Sequence, residues 1–169
     1  MPITVTALAA AIAPVLASAV EMAGAEIVNP GGAVIGSATF EQAPTGVLIF
    51  VDVTGLSPGG HGIHLHAAGS CAPDFKAATG HVNPGKVEHG LRNPEGPDNG
   101  DLPNLFAAAD GSARAEFFTT RVSVSGGDLP ALLDGDGSAI IIHANLDDHV
   151  TQPIGGAGGR IGCGIIDEM

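Results

Sequence analysis

Tryptophan and tyrosine are absent from this chain of 169 residues, and Phe occurs six times. A core built on large rings is therefore excluded, and the 44% hydrophobic fraction must pack through Ala, Val, Ile and Leu. Positive charge is also scarce. Six Lys and Arg stand against 18 Asp and Glu, giving a formal charge of −12, and no Lys or Arg precedes Lys76. Phosphate recognition needs a basic face, so nucleic acid is excluded as a partner. Cysteine is limited to Cys71 and Cys163, too few for a thiolate-held cluster. No stretch from Ala25 to Met169 sustains a helical period, which argues against a helical fold.

What is present is turn chemistry and short apolar runs. Gly occurs 26 times and Pro 12 times, set between segments that read as strands. Ala25–Val28 and Val34–Phe40 flank the turn Asn29-Pro30-Gly31-Gly32. In Gly46–Val53, "GVLIFVDV", Val47, Ile49, Val51 and Val53 share one face. His61–His66 reads as a further strand, and Leu105–Ala109 with Ala113–Thr119 as a hairpin about Asp110-Gly111. Ala139–Ala144 and Arg160–Ile166 complete the set. This spacing predicts an all-β domain, a sandwich or flattened barrel. The connections Ala67–Asn104 and Asn145–Gly159 are too long for hairpin turns, and loops of that length usually carry function.

The first 20 residues are mostly apolar, and Ala17-Ser18-Ala19 fits a small-x-small cleavage site. Residues 1–19 therefore read as a signal peptide and 20–169 as a single domain. An uncleaved arm is the alternative; an anchor fits poorly, since the run is Ala-rich and broken by Pro14. Export to the periplasm or the exterior would favour a disulfide between Cys71 and Cys163, with two buried thiols as the alternative.

Three of seven histidines fall in "HGIHLH", His61 to His66. Residues i and i+2 of a strand share a face about 6–7 Å apart, so His64 and His66 can reach one ion. His61 is out of phase and reads as structural. His81, His89, Asp98, Asp101 and His143 follow on separate segments. Imidazoles with one or two carboxylates point to copper or zinc, not calcium.

The motifs "HGIHLH", "GSC", "GHVNP", "HGLRNPEGP", "GDLPNL", "IIIHA" and "GGRIGCGII", in this order, resemble copper/zinc superoxide dismutases of the bacterial exported type from about Ala25 to Ile166. The resemblance implies a Greek-key flattened barrel of about eight antiparallel strands. It also implies conversion of superoxide to dioxygen and hydrogen peroxide by copper(II)/copper(I) cycling, by a homodimer or monomer without stable membrane association. His64, His66, His81 and His143 match the copper ligands, with His81 the histidine shared with zinc and a proton carrier. His89 and Asp101 match zinc ligands. Asp147 matches the aspartate linking a copper histidine to a zinc histidine, Arg160 the arginine beside copper, and Cys71–Cys163 the disulfide.

One position departs. Asp98 stands where the family carries its remaining zinc histidine, so a two-His, two-Asp site, a weakened or zinc-free site, or a solvated loop carboxylate are the alternatives. His149 has no family role and reads as a surface residue. Lys76, Lys86 and Arg92 are candidates for drawing the anion towards the centre. Competing functions are a non-enzymatic copper or zinc buffer or chaperone on the same sandwich, and a purely structural immunoglobulin-like module.

Overall fold

The structure, a computed structural model, describes residues 21–169; the leader read at residues 1–19 lies outside them. The described chain forms nine strands: β1 (Met22–Val28), β2 (Val34–Ala43), β3 (Gly46–Val53), β4 (Gly59–His61), β5 (Ile63–His66), β6 (Leu105–Ala107), β7 (Ala113–Thr119), β8 (Ser138–His143) and β9 (Arg160–Glu168). Seven make one antiparallel sheet in the order β5-β8-β9-β1-β2-β3-β7. Insertion of β8 and β9 between β5 and β1 gives the Greek-key order. The separate β4–β6 ladder joins the two edges of this curled sheet, because β4 leads into β5 and β6 leads into β7.

The apolar residues explain the curl. On β3, Val47, Ile49, Val51 and Val53 all face inward, as their alternation requires. All six residues of β8 are buried. Ile140 and Ile142 enter the main core. Ala139 and Ile141 face the other way, under Cys163, Ala78, Cys71 and Phe75. Thus part of the long loop after β5 roofs the outer face of β8. The Cys71–Cys163 disulfide fastens that roof to β9.

Two expected elements differ. His61–His66 is two strands, because the chain changes partner at Gly62: His61 pairs with Leu105, whereas Ile63 pairs with Ile142. A Cβ at Gly62 would lie 2.8 Å from that of Ala157, so only glycine fits this corner. The turn about Asp110-Gly111 forms, closed by Ala108 N–H donating to Ser112 O at 2.8 Å. Its arms nevertheless do not ladder with each other. β6 bonds to β4 and β7 to β3, so the turn is a corner between sheets.

Candidate metal centre

β5 carries the centre because its two faces have opposite duties. Ile63 and Leu65 enter the core, while His64 and His66 project from the other face, as the two-residue period demands. One edge of β5 pairs with β8. The other edge receives the long loop: Leu65 N–H donates to Gly100 O, Val82 N–H to Leu65 O, and Ala67 N–H to Gly80 O, each at 2.9 Å. Bridges then set His81 opposite His66 and Asp101 opposite His64. Backbone pairing, therefore, delivers the loop's candidate ligands to those of the strand.

Four imidazoles converge. His64 and His81 have ring centroids 4.3 Å apart, His64 and His143 4.9 Å, and His66 and His81 5.1 Å. One nitrogen of each ring is spoken for. His64 Nε2 meets Asp147 Oδ2 at 2.9 Å, His66 Nδ1 the Thr79 carbonyl at 3.0 Å, and His143 Nδ1 the Gly158 carbonyl at 3.1 Å. His81 Nδ1 meets Asp98 Oδ2 at 2.8 Å. The remaining nitrogens, His64 Nδ1, His66 Nε2, His81 Nε2 and His143 Nε2, are buried with no hydrogen-bond partner. Buried polar atoms are rarely left so, and four on adjoining rings fit a metal ion. Burial first, then the neighbouring imidazoles, lowers His64 to about 3 against its bond to Asp147; burial, then His81 and Arg160, lowers His143 to about 4. Neutral imidazole is the form that binds a metal.

A second donor set adjoins the first. One donor atom from each of His81, His89, Asp98 and Asp101 lies within 4.8 Å of the others. His89 Nδ1 meets Asp101 Oδ1 at 2.5 Å and its Nε2 meets Asp147 Oδ1 at 3.1 Å. Asp147 thus spans His64 and His89, as the resemblance implies. Burial opposes the His89 cation, but bonds to Asp101 and Asp147 outweigh it and raise the ring to about 10. His81 is raised in the same way by Asp101 and Asp98 against its burial. Those same bonds to His81 and His89 hold Asp101 well below the ordinary carboxylate range, despite burial. Asp98 is 3% exposed and faces His81, so it is not a solvated loop carboxylate. Two imidazoles and two carboxylates suit zinc.

Arg160 donates through Nη1 to the Phe75 carbonyl and through Nη2 to that of Thr79. Thr79 O also accepts from His66, so one carbonyl holds the guanidinium beside the histidine group. Arg160, Lys76, Phe75 and Cys71 line a groove of about 680 Å³. Lys76 therefore shares the surface that leads to Arg160. Arg92 instead ties the two loops together, Nη2 donating to Asp148 O at 2.6 Å.

His61 is buried, its nitrogens 2.7 Å from His143 O and 2.8 Å from Ser57 O, so it braces β8 and stays outside the donor sets. His149 is not a surface residue. It is half-buried at φ 63°, and its backbone N–H donates to Asp147 Oδ1 at 2.6 Å. Asn104 donates to its Nε2 at 3.0 Å and to Asp147 O at 2.8 Å, which fixes the loop around Asp147. Sequence reasoning missed Thr79, Asn104, Arg121 and Gln152, whose contacts each involve a backbone group: Thr79 offers its own carbonyl, and the other three bond the backbone of Asp147, Asp98, Asp101 and His89. Gln152 clamps His89 from both sides, accepting from its N–H at 3.0 Å and donating to its carbonyl at 2.8 Å. No spacing motif announces such contacts; the positive φ of Thr79, 63°, is visible only in the fold.

Comparisons with known proteins agree with this geometry. The family model described as Copper/zinc superoxide dismutase (SODC) matches residues 34–166. The chain is 55% identical over 134 residues to a Cu-Zn superoxide dismutase of Caulobacter vibrioides, covering 78% of this chain and 77% of the relative. It is 41% identical over 146 residues to a Cu-Zn superoxide dismutase of Aquifex aeolicus, covering 85% of each. Among solved structures, the Cu/Zn superoxide dismutase of Brucella abortus aligns with a TM-score of 0.71 at 31% identity, covering 87% of this chain and all of that one.

Proposed function

This chain belongs to the copper/zinc superoxide dismutase family, and we propose that His64, His66, His81 and His143 hold the copper with which it converts superoxide to dioxygen and hydrogen peroxide. The observation that carries the copper set is the four buried, unpartnered imidazole nitrogens on adjoining rings. Copper supplies the one-electron exchange with successive superoxide ions, for which zinc has no redox chemistry. His81, His89, Asp98 and Asp101 are the zinc donors. Support for Asp98 comes from its burial and its 2.8 Å approach to His81 Nδ1.

Each neighbouring residue then has a task. Arg160 attracts and orients the anion through a charge that two backbone carbonyls keep in place. Local field must prevail here, because the protein as a whole carries −12; Lys76 on the same groove adds to it. His81 keeps Nδ1 towards the carboxylates and Nε2 towards the copper histidines, so Nε2 is the atom that takes up a proton and hands it to peroxide. Asp147 fixes the rings of His64 and His89 together. The export reading for residues 1–19 is supported by the Cys71–Cys163 disulfide, since such bonds persist in oxidising compartments.

A metal buffer would need the four histidines but not an anchored arginine beside them, so Arg160 favours the enzyme. The test is metal analysis with a dismutation assay on the parent, His81→Ala and Asp98→His proteins. The parent should bind both metals and dismute superoxide, and His81→Ala should lose most activity. Asp98→His should raise zinc affinity and leave copper uptake unchanged. Fully metallated parent protein without activity would overturn the enzymatic assignment.

A further inference from the structure

Arg121 follows β7 and has no counterpart among the groups assigned above. It is half-buried, and it makes no ion pair among the described residues. Its guanidinium instead grips the turn that bears the two aspartates. Nε donates to the Asp98 carbonyl at 3.1 Å, and a terminal nitrogen donates to the Asp101 carbonyl. Within the same turn, Asn99 Nδ2 donates back to the Arg121 carbonyl at 2.6 Å. The carboxylates of Asp98 and Asp101 point the other way, at His81 and His89. The turn is thus held on its carbonyl side by one cation while its carboxylate side faces the imidazoles.

Geometry and charge both bear on what this does. Residues 98 to 101 carry two carboxylates that must converge on one ion, and like charges so placed repel. A guanidinium carries its donors on separate nitrogens in a fixed fork and so can span two carbonyls at once; an ammonium offers its donors from a single point on a flexible stem. We infer that Arg121 is a positioning residue for the second metal site, bracketing the Asp98–Asp101 turn in its ligating shape and offsetting the charge of the carboxylate that replaces a histidine. The inference rests on the reading of His81, His89, Asp98 and Asp101 as zinc donors. Outer partners of this kind typically set metal affinity by about 10–100-fold.

The test uses the full chain, loaded with copper alone, then titrated with zinc and, separately, with cobalt(II), whose visible spectrum reports ligand geometry. Arg121→Ala should bind zinc about 10–100-fold more weakly and shift the cobalt spectrum, with copper affinity at His64, His66 and His143 unchanged. Arg121→Lys, which keeps the charge but not the fork, should recover part of the zinc affinity. Zinc affinity within about threefold of the parent in Arg121→Ala, with an unaltered cobalt spectrum, overturns the inference alone. Equal loss at both metal sites, with a collapsed melting temperature in both variants, marks Arg121 as merely structural and also overturns it. A parent that takes up neither zinc nor cobalt here overturns the zinc-donor reading itself, and the inference with it.

Discussion

Gly100 sits where a side chain has no room. A Cβ there would lie 2.2 Å from the Leu65 carbonyl and 3.0 Å from the Cβ of His81, and neither the backbone oxygen nor the ligand can withdraw. The same glycine accepts the Leu65 N–H that seats the loop on β5. Gly100→Ala should therefore lift the loop from the strand edge, costing on the order of 2–3 kcal/mol and weakening metal retention. Urea unfolding with metal analysis checks this; unchanged stability and metal content would refute it. Asp147 makes a second residue-scale case, since its two oxygens meet His64 and His89 at 2.9 and 3.1 Å. Asp147→Asn keeps the shape but turns an N–H donor towards one of these rings. Zinc affinity should fall by about 10–100-fold, measured by competition with a chromophoric chelator; an unaltered affinity would show that the link is dispensable.

At the scale of elements, the loop after β5 depends on two kinds of attachment. Backbone bonds hold it to the edge of β5. The Cys71–Cys163 bridge, spanning a sequence separation of 92, holds it to β9 three residues beyond Arg160. A cross-link over that length removes about 4–5 kcal/mol of unfolded-state freedom in the chain-entropy model. Reduction should lower the melting temperature and, by freeing the Phe75 and Thr79 carbonyls, slacken the hold on Arg160 and reduce activity. Calorimetry and a dismutation assay before and after reduction test both parts; retained activity and metal content at full reduction would count against the second. These attachments also mark how far the sequence could be read. The alternation of β3 and the shared face of His64 and His66 were legible, because a two-residue period maps directly onto burial. The place of His81 in both donor groupings and the hydrogen bonds of Asp147 to His64 and His89 could be anticipated only by resemblance. The pairing of β6 with β4 was not legible, since a hairpin turn looks the same whether its arms ladder together or diverge into two sheets. Arg121, Thr79 and Gln152 were illegible for another reason: each contact has a backbone carbonyl or amide on one side, which every residue possesses. His149 misled because a loop histidine beside two aspartates resembles surface, and its half-burial follows from Asn104, 45 residues earlier.

Across the whole molecule, the five histidines of the two donor sets divide into two classes whose opposed titration should shape stability in metal-free protein. Burial lowers His64 to about 3 and His143 to about 4, and lowers His66 as well. An unfolded histidine titrates near about 6.5. Below that pH the unfolded chain binds protons that these three rings refuse when folded, so stability falls with acidity, by on the order of 1 kcal/mol per pH unit for each ring. Asp101 and Asp147, both depressed by their histidine partners against the effect of burial, add to this loss once pH drops beneath the ordinary carboxylate range. His81 and His89 have the opposite sign. They are raised, His89 to about 10, so their contribution is complete below about 6.5 and disappears as pH climbs towards 10. Chelated protein should accordingly be most stable near neutrality and weaker on both sides. Metal changes the two arms differently, because ligands must be deprotonated to bind. Zinc displaces the protons of His81 and His89, which should flatten the alkaline arm. Metal on either set is itself expelled by acid, which should steepen the acidic one. Urea unfolding from pH 4 to pH 10, with chelator and with both metals, resolves the two arms. A flat profile without metal, or an alkaline arm that zinc leaves unchanged, would mean that the carboxylates of Asp98, Asp101 and Asp147 do not hold His81 and His89 as ion pairs in the absence of metal.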